Sequence, residues 1–114
     1  MQPAKPNDCG VLEPAGREVV ASRGRAFAAV NIALCEDGLY RYGVDLMYAT
    51  GGFGFPIHAD GPGYSSLEAA RTAALERLLR AWHTPFPSDP ESVRAELADM
   101  RRHIEARLRQ PSLF

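Results

Sequence analysis

A change of rhythm constrains this chain more than any other feature. Across residues 27–48 apolar side chains alternate with other residues at a period of two, and from Ser65 onward they recur every third or fourth position. The first rhythm belongs to a strand with one buried face and the second to an amphipathic helix. A chain that shows both in succession is an α+β chain.

Ala28, Val30, Ile32 and Leu34 alternate with Ala29, Asn31, Ala33 and Cys35, which predicts a strand over residues 27–35. Glu36-Asp37-Gly38 follows, and Asp-Gly tolerates the positive φ of a tight hairpin. The return strand covers residues 39–49, with Tyr40, Tyr42, Val44, Leu46 and Tyr48 on one face. A short strand at 18–22 precedes the hairpin, and Arg23-Gly24-Arg25 turns the chain between them. After it, Phe53, Phe55 and Ile57 form a short strand that Pro56 confines to a sheet edge.

Ser65-Ser66-Leu67-Glu68 fits a capping box with Ser65 as N-cap and opens a helix over 65–82. Leu67, Ala70, Ala74, Leu75, Leu78, Ala81 and Trp82 share its apolar face. Thr84-Pro85-Phe86-Pro87 ends it. Ser88-Asp89-Pro90-Glu91 is a second capping box, opening a helix over 89–109. There Val93, Leu97, Met100, Ile104 and Leu108 make a narrow stripe that suits a single partner surface, this domain's own or a second copy's.

Residues 1–16 are rich in proline and glycine and read as a flexible arm. The expectation is therefore one α+β domain over 17–114: an antiparallel sheet of about three strands at 17–57, a helix packed across it, and a second C-terminal helix. A chain of 114 residues suffices for one such core. The formal net charge of −1 advertises neither a polyanion-seeking surface nor a nucleic-acid mimic. Arg101, Arg102, Arg107 and Arg109 outnumber Glu105 near the C-terminus, where cations complement the negative end of a helix dipole. Cys9 and Cys35 are far apart and form neither a CxxC pair nor a disulfide framework. With no apolar run of a signal peptide or membrane span, a cytoplasmic location is expected.

The glycine-rich run Gly51-Gly52-Phe53-Gly54-Phe55-Pro56 lacks the Gly-Lys-Ser/Thr of a P-loop, and Ile57 stands where a dinucleotide fingerprint needs its third glycine. It reads as a flexible or bulged connection whose glycines supply special backbone angles, with Phe53 and Phe55 available as a contact surface. The tyrosine face is either a stacking platform for single-stranded nucleic acid or, as its neighbours Val44 and Leu46 favour, a core face under the helices. Arg71 lies within the first helix's apolar arc; it snorkels out, pairs with Asp45 or Asp60, or anchors an acidic partner. His58 and Asp60 are too few for a metal site, and His83 and His103 fall near helix C-terminal segments. No catalytic residue, metal or cofactor is implied by any local motif.

Asp37-Gly38, the Gly51 to Gly54 segment, and Tyr64 before Ser65, Glu68 and Ala69 resemble features of short uncharacterised domains carried on phage and plasmid genomes. The same hairpin, glycine-rich return and Glu-Ala helix are similar, more loosely, to the sheet-and-helix domain of HicB-type antitoxins. The acidic helix start typical of that family is replaced here by Gly63-Tyr64-Ser65-Ser66-Leu67-Glu68-Ala69. With no assembled catalytic motif, and with an aromatic glycine-rich loop and a narrow-striped last helix available for contact, a non-enzymatic protein-binding accessory or regulatory module is expected. The resemblance implies that a mobile element encodes it, as an antitoxin-like protein or an inhibitor of a host defence nuclease. The residues expected to contact a partner are Phe53, Phe55, His58, Tyr64 and Arg71, with self-association through Val93, Leu97, Met100 and Ile104 as an alternative use of the last helix. Two further readings stay open: a nucleic-acid-binding module using the sheet face or C-terminal arginines, and a small enzyme built on His58 and Asp60.

Overall fold

The period-two residues form the centre of a sheet. In a computed structural model, which describes residues 3, 10–12, 16–82 and 86–109, strands β3 (Ala26–Leu34) and β4 (Tyr40–Tyr48) pair antiparallel, with Ala28 opposite Leu46, Val30 opposite Val44 and Ile32 opposite Tyr42. Gly38, at φ 83°, makes the turn between them. Asp37 closes that turn: its carboxylate accepts from the Leu39 N–H at 3.1 Å and from both terminal nitrogens of Arg41 at 3.0 and 2.9 Å. Cys9 and most of the N-terminal arm lie outside the described residues; Cys35 is a buried free thiol.

The sheet has four strands, one more than the sequence suggests, in the order β2-β3-β4-β5. The strand expected at 18–22 is a full sheet member, β2 (Gly16–Arg23), longer than its short apolar run implies, with a bulge between Val19 and Ala21. That bulge brings Val20 and Ala21, neighbours in sequence, both into the core. At the opposite edge the glycine-rich run is an ordered strand, β5 (Gly51–Phe55), and none of its glycines has positive φ. The glycines provide space instead of special angles. A Cβ at Gly52 would stand 2.2 Å from the Leu46 carbonyl oxygen, and one at Gly54 2.8 Å from that of Val44.

Pro56 ends β5, and Ile57 leaves the main sheet. It belongs to β6 (Ile57–His58), which pairs with β1 (Val11–Leu12) in a separate two-stranded ribbon. The chain reaches this ribbon by crossing β4 at Gly43, where a Cβ would lie 2.6 Å from the Phe55 carbonyl oxygen and 2.9 Å from the Pro56 carbonyl carbon. Ile57 then buries with Ala33 and Cys35 in a second, small cluster.

Helix α1 (Leu67–Arg80) starts one residue later than the capping box predicts. Ser66, not Ser65, is the N-cap, its Oγ accepting from the Ala69 N–H at 3.1 Å. That shift places Ala69, which has no side-chain acceptor, where a capping box needs Glu68. Ala70, Ala74, Leu75 and Leu78 are buried as expected, whereas Leu67 is 43% exposed and Ala81 and Trp82 lie beyond the last turn. Helix α2 (Glu91–Arg109) begins after Pro90, whose carbonyl accepts from the Val93 and Arg94 N–H groups. Asp89 turns away from the helix to accept from the Phe86 N–H at 2.8 Å.

The stripe of α2 packs within its own chain. Val93, Leu97, Met100 and Ile104 are at most 3% exposed and join Val30, Val44, Leu46, Leu75 and Leu78 in one core. In the folded chain those four side chains are covered and form no exposed stripe for a second copy. Each such side chain contributes about 1.5–3 kcal/mol on burial, enough to hold α2 on the sheet without a second copy. The tyrosine face of β4 lies under the helices as its apolar neighbours suggest, with Val44 and Leu46 fully buried and Tyr48 at 9%. No described helix is long and apolar enough to cross a membrane.

Candidate functional site

An open cleft of about 530 Å³ lies where the β5 edge meets the C-terminal half of α1. Its aromatic wall begins with Tyr42, on the helix side of β4. The Tyr42 ring lies 5.9 Å from that of Phe55 and 6.1 Å from that of Tyr64, both tilted against it. Tyr64 is fixed by its backbone: the Tyr40 N–H donates to its carbonyl at 2.8 Å, and its own N–H donates to the Tyr40 carbonyl at 2.9 Å. Burial raises the Tyr42 hydroxyl above its ordinary pKa, a direction that nearby Tyr64 reinforces, so at neutral pH it remains a neutral donor.

Arginines form the rest of the boundary. Arg41 reaches the floor, where its Nε donates to the Gly61 carbonyl at 2.8 Å and its terminal nitrogens hold Asp37. That charge is neutralised within the fold. Arg77 lies over the Phe55 ring at 5.5 Å to the centroid, and Arg80 stands one turn further along the same helix. Neither is in an ion pair among the described residues, although seven other arginines are. Among the described residues no Asp or Glu lines the cleft. The arrangement offers a wall of mutually tilted aromatic rings beside two guanidinium groups that are in no ion pair among the described residues, a combination that binds anionic groups attached to apolar ones.

Of the contact residues expected from sequence, Phe55, His58 and Tyr64 come together here. Phe53 does not; it stands opposite Leu46 and packs half-buried against the main core. Arg71 lies at the other end of α1, and its partner is neither Asp45 nor Asp60. Its guanidinium donates to both oxygens of Glu18 at 2.7 and 2.9 Å, and Glu18 also accepts from Arg107 at 3.2 Å. These donors hold the Glu18 carboxyl below its usual range, the Arg71 hydrogen bond foremost. Asp45 instead accepts from the Asn31 amide at 3.0 Å.

His58 and Asp60 are both exposed, and only His58 lines the cleft. No group of three metal-ligating side chains occurs among the described residues. His103 is exposed on α2, and His83 lies outside the described residues. The helices cover the tyrosine face at Val44, Leu46 and Tyr48, and leave Tyr42 lining the cleft. At the C-terminus Arg101, Arg102 and Arg107 pair with Glu105, Asp99 and Glu18.

Sequence reasoning missed Arg77 and Arg80. Their signal was present as an i, i+3 pair of cations on the helix face away from Leu75 and Leu78. What it lacked was knowledge of which arginines would find carboxylates. The fold and cleft define a small α+β domain with helices packed on an antiparallel sheet whose edge strands are β2 and β5. No family model, curated protein or solved structure matches the chain.

Proposed function

We propose that the chain is a non-enzymatic protein-binding module, which acts by occupying a partner's surface through the cleft between β5 and α1. The observation that carries this reading is the position of Arg77 and Arg80, unpaired among the described residues, beside the Phe55, Tyr42 and Tyr64 rings in a cleft without carboxylates. Aromatic and arginine side chains together are the residues that dominate binding energy at protein interfaces. The resemblance of the hairpin, glycine-rich segment and helix start to phage- and plasmid-borne domains supports a mobile-element accessory protein, either antitoxin-like or an inhibitor of a host defence nuclease.

The test is partner recovery from the native host with a tagged chain, run beside a variant carrying Arg77→Gln, Arg80→Gln and Tyr64→Ala. The expected result is a protein retained by the parent and lost by the variant. Repeated recovery of nothing, or equal recovery by both, would overturn the reading. Nucleic-acid binding is the second reading, which the same arginines favour. It requires affinity that falls steeply with salt as phosphate contacts release counterions.

A further inference from the structure

The two edges of the sheet differ in how they are protected. β2 carries Arg17, Glu18 and Arg23 and a bulge at Val19/Ala21, all features that discourage another strand from pairing with it. β5 has the sequence Gly-Gly-Phe-Gly-Phe, with no charged residue and no bulge in its pairing with β4. It is the last strand of the sheet, and its three glycines are exposed. Alternate N–H and C=O groups along such an edge point away from the neighbouring strand and are available to another chain.

We infer that the occupant of this site is an extended, acidic polypeptide segment that adds to β5 as a fifth strand; this inference rests on the protein-binding reading above. Strand addition supplies main-chain hydrogen bonds, and pockets for alternate side chains supply selectivity. Arg77 lies over Phe55, so side chains on the helix-facing side of the guest pass the Phe55 ring and the two guanidinium groups together. Because successive residues of a strand face opposite ways, the guest presents carboxylates and apolar groups at every second position. A second copy of this chain fits the site poorly, since its β5, Gly-Gly-Phe-Gly-Phe, brings no carboxylate to Arg77 and Arg80. Two free cations satisfy one or two carboxylates, whereas a nucleic-acid strand calls for a longer run of positive charge than the cleft offers.

Selection from a displayed library of random short peptides tests the inference. The expected winners are rich in Asp and Glu alternating with apolar residues. The affinity of the best one should fall about tenfold or more in Arg77→Gln/Arg80→Gln, as loss of charge partners at an interface requires. It should hold in Arg77→Lys/Arg80→Lys within a few-fold, and be unchanged in Arg94→Gln, a control on the exposed side of α2. N-methylation of one set of alternate amides in that peptide should abolish binding, and N-methylation of the other set should spare it. Winners without acidic enrichment, binding indifferent to the arginine substitutions or to both methylation patterns, or an oligothymidine that binds where no peptide does would each overturn the inference. A protein recovered from the host through the cleft, with none of these peptide results, would leave the module reading standing and remove this one.

Discussion

Side chains from the two ends of α1 reach the two edges of one sheet, and the two ends are finished differently. At the β2 edge Arg71 is clamped by Glu18, which also receives Arg107 from α2, so helix, strand and second helix are tied at one carboxylate. At the β5 edge Arg77 lies over the Phe55 ring and Arg80 lines the same cleft, neither in an ion pair among the described residues, beside a strand that carries no charge. The lesson concerns where surplus chemistry collects. Where opposite charges meet within the fold the edge is closed, and where cations and backbone groups remain without partners the molecule can receive something from outside.

Removing core contacts from the two ends separately is the most forceful way to break this comparison. Leu97→Ala, beneath the closed end, should cost about 2–5 kcal/mol in chemical denaturation, because a fully buried leucine leaves a cavity. Phe55→Ala at the open end should cost about 1–2 kcal/mol, since its ring is already half exposed. Equal losses would mean that the open edge is as firmly built as the closed one. Gly52→Ala comes next. Its Cβ would collide with the Leu46 carbonyl, so β5 should separate from β4 at a cost of about 1–3 kcal/mol, with faster hydrogen exchange confined to β5 amides.

The Glu18–Arg71 pair should show a smaller coupling. Both side chains are partly solvated, and a double-mutant cycle at neutral pH should give about 0.5–1 kcal/mol. Its sign with pH is fixed by the depressed Glu18 pKa: the contribution is complete above the ordinary glutamate value of 4.5 and disappears as pH falls through the lower native value. Stability measured across that acid window in the parent and in Glu18→Gln should therefore converge at the low end. The smallest effect belongs to Arg77→Gln/Arg80→Gln, which should leave stability within about 0.5 kcal/mol while altering binding. A loss well above that would make these arginines structural and close the proposed site.

Much of this architecture could be read before any coordinates. Alternation over residues 27–48 located β3 and β4, although β3 is buried on both faces, Ala29, Asn31 and Ala33 included. The stripe from Val93 to Ile104 located α2 because one side of that helix had to be buried. Where local signals tied, reading failed by small steps. Ser65 and Ser66 are equally good caps by composition, and the chain's path through Tyr64 to Tyr40 places the second of them at the helix start. The glycines of β5 looked like hinges because a sequence cannot distinguish a residue chosen for its angles from one chosen for lacking a side chain. Arginines were hardest. Arg71 is separated from Glu18 by 53 positions, so nothing near it revealed that its charge would be matched and that of Arg77 would not.

Arg41 ties together pieces of the chain that function would otherwise separate. Its side chain spans from the Asp37 turn to the Gly61 carbonyl, so the tip of the central hairpin and the rim beside Tyr64 form one mechanical unit. Asp37 lies at the surface outside the cleft lining, yet a change there would release the Arg41 side chain that reaches the cleft floor. Natural variation could thus retune recognition from a position that touches nothing recognised.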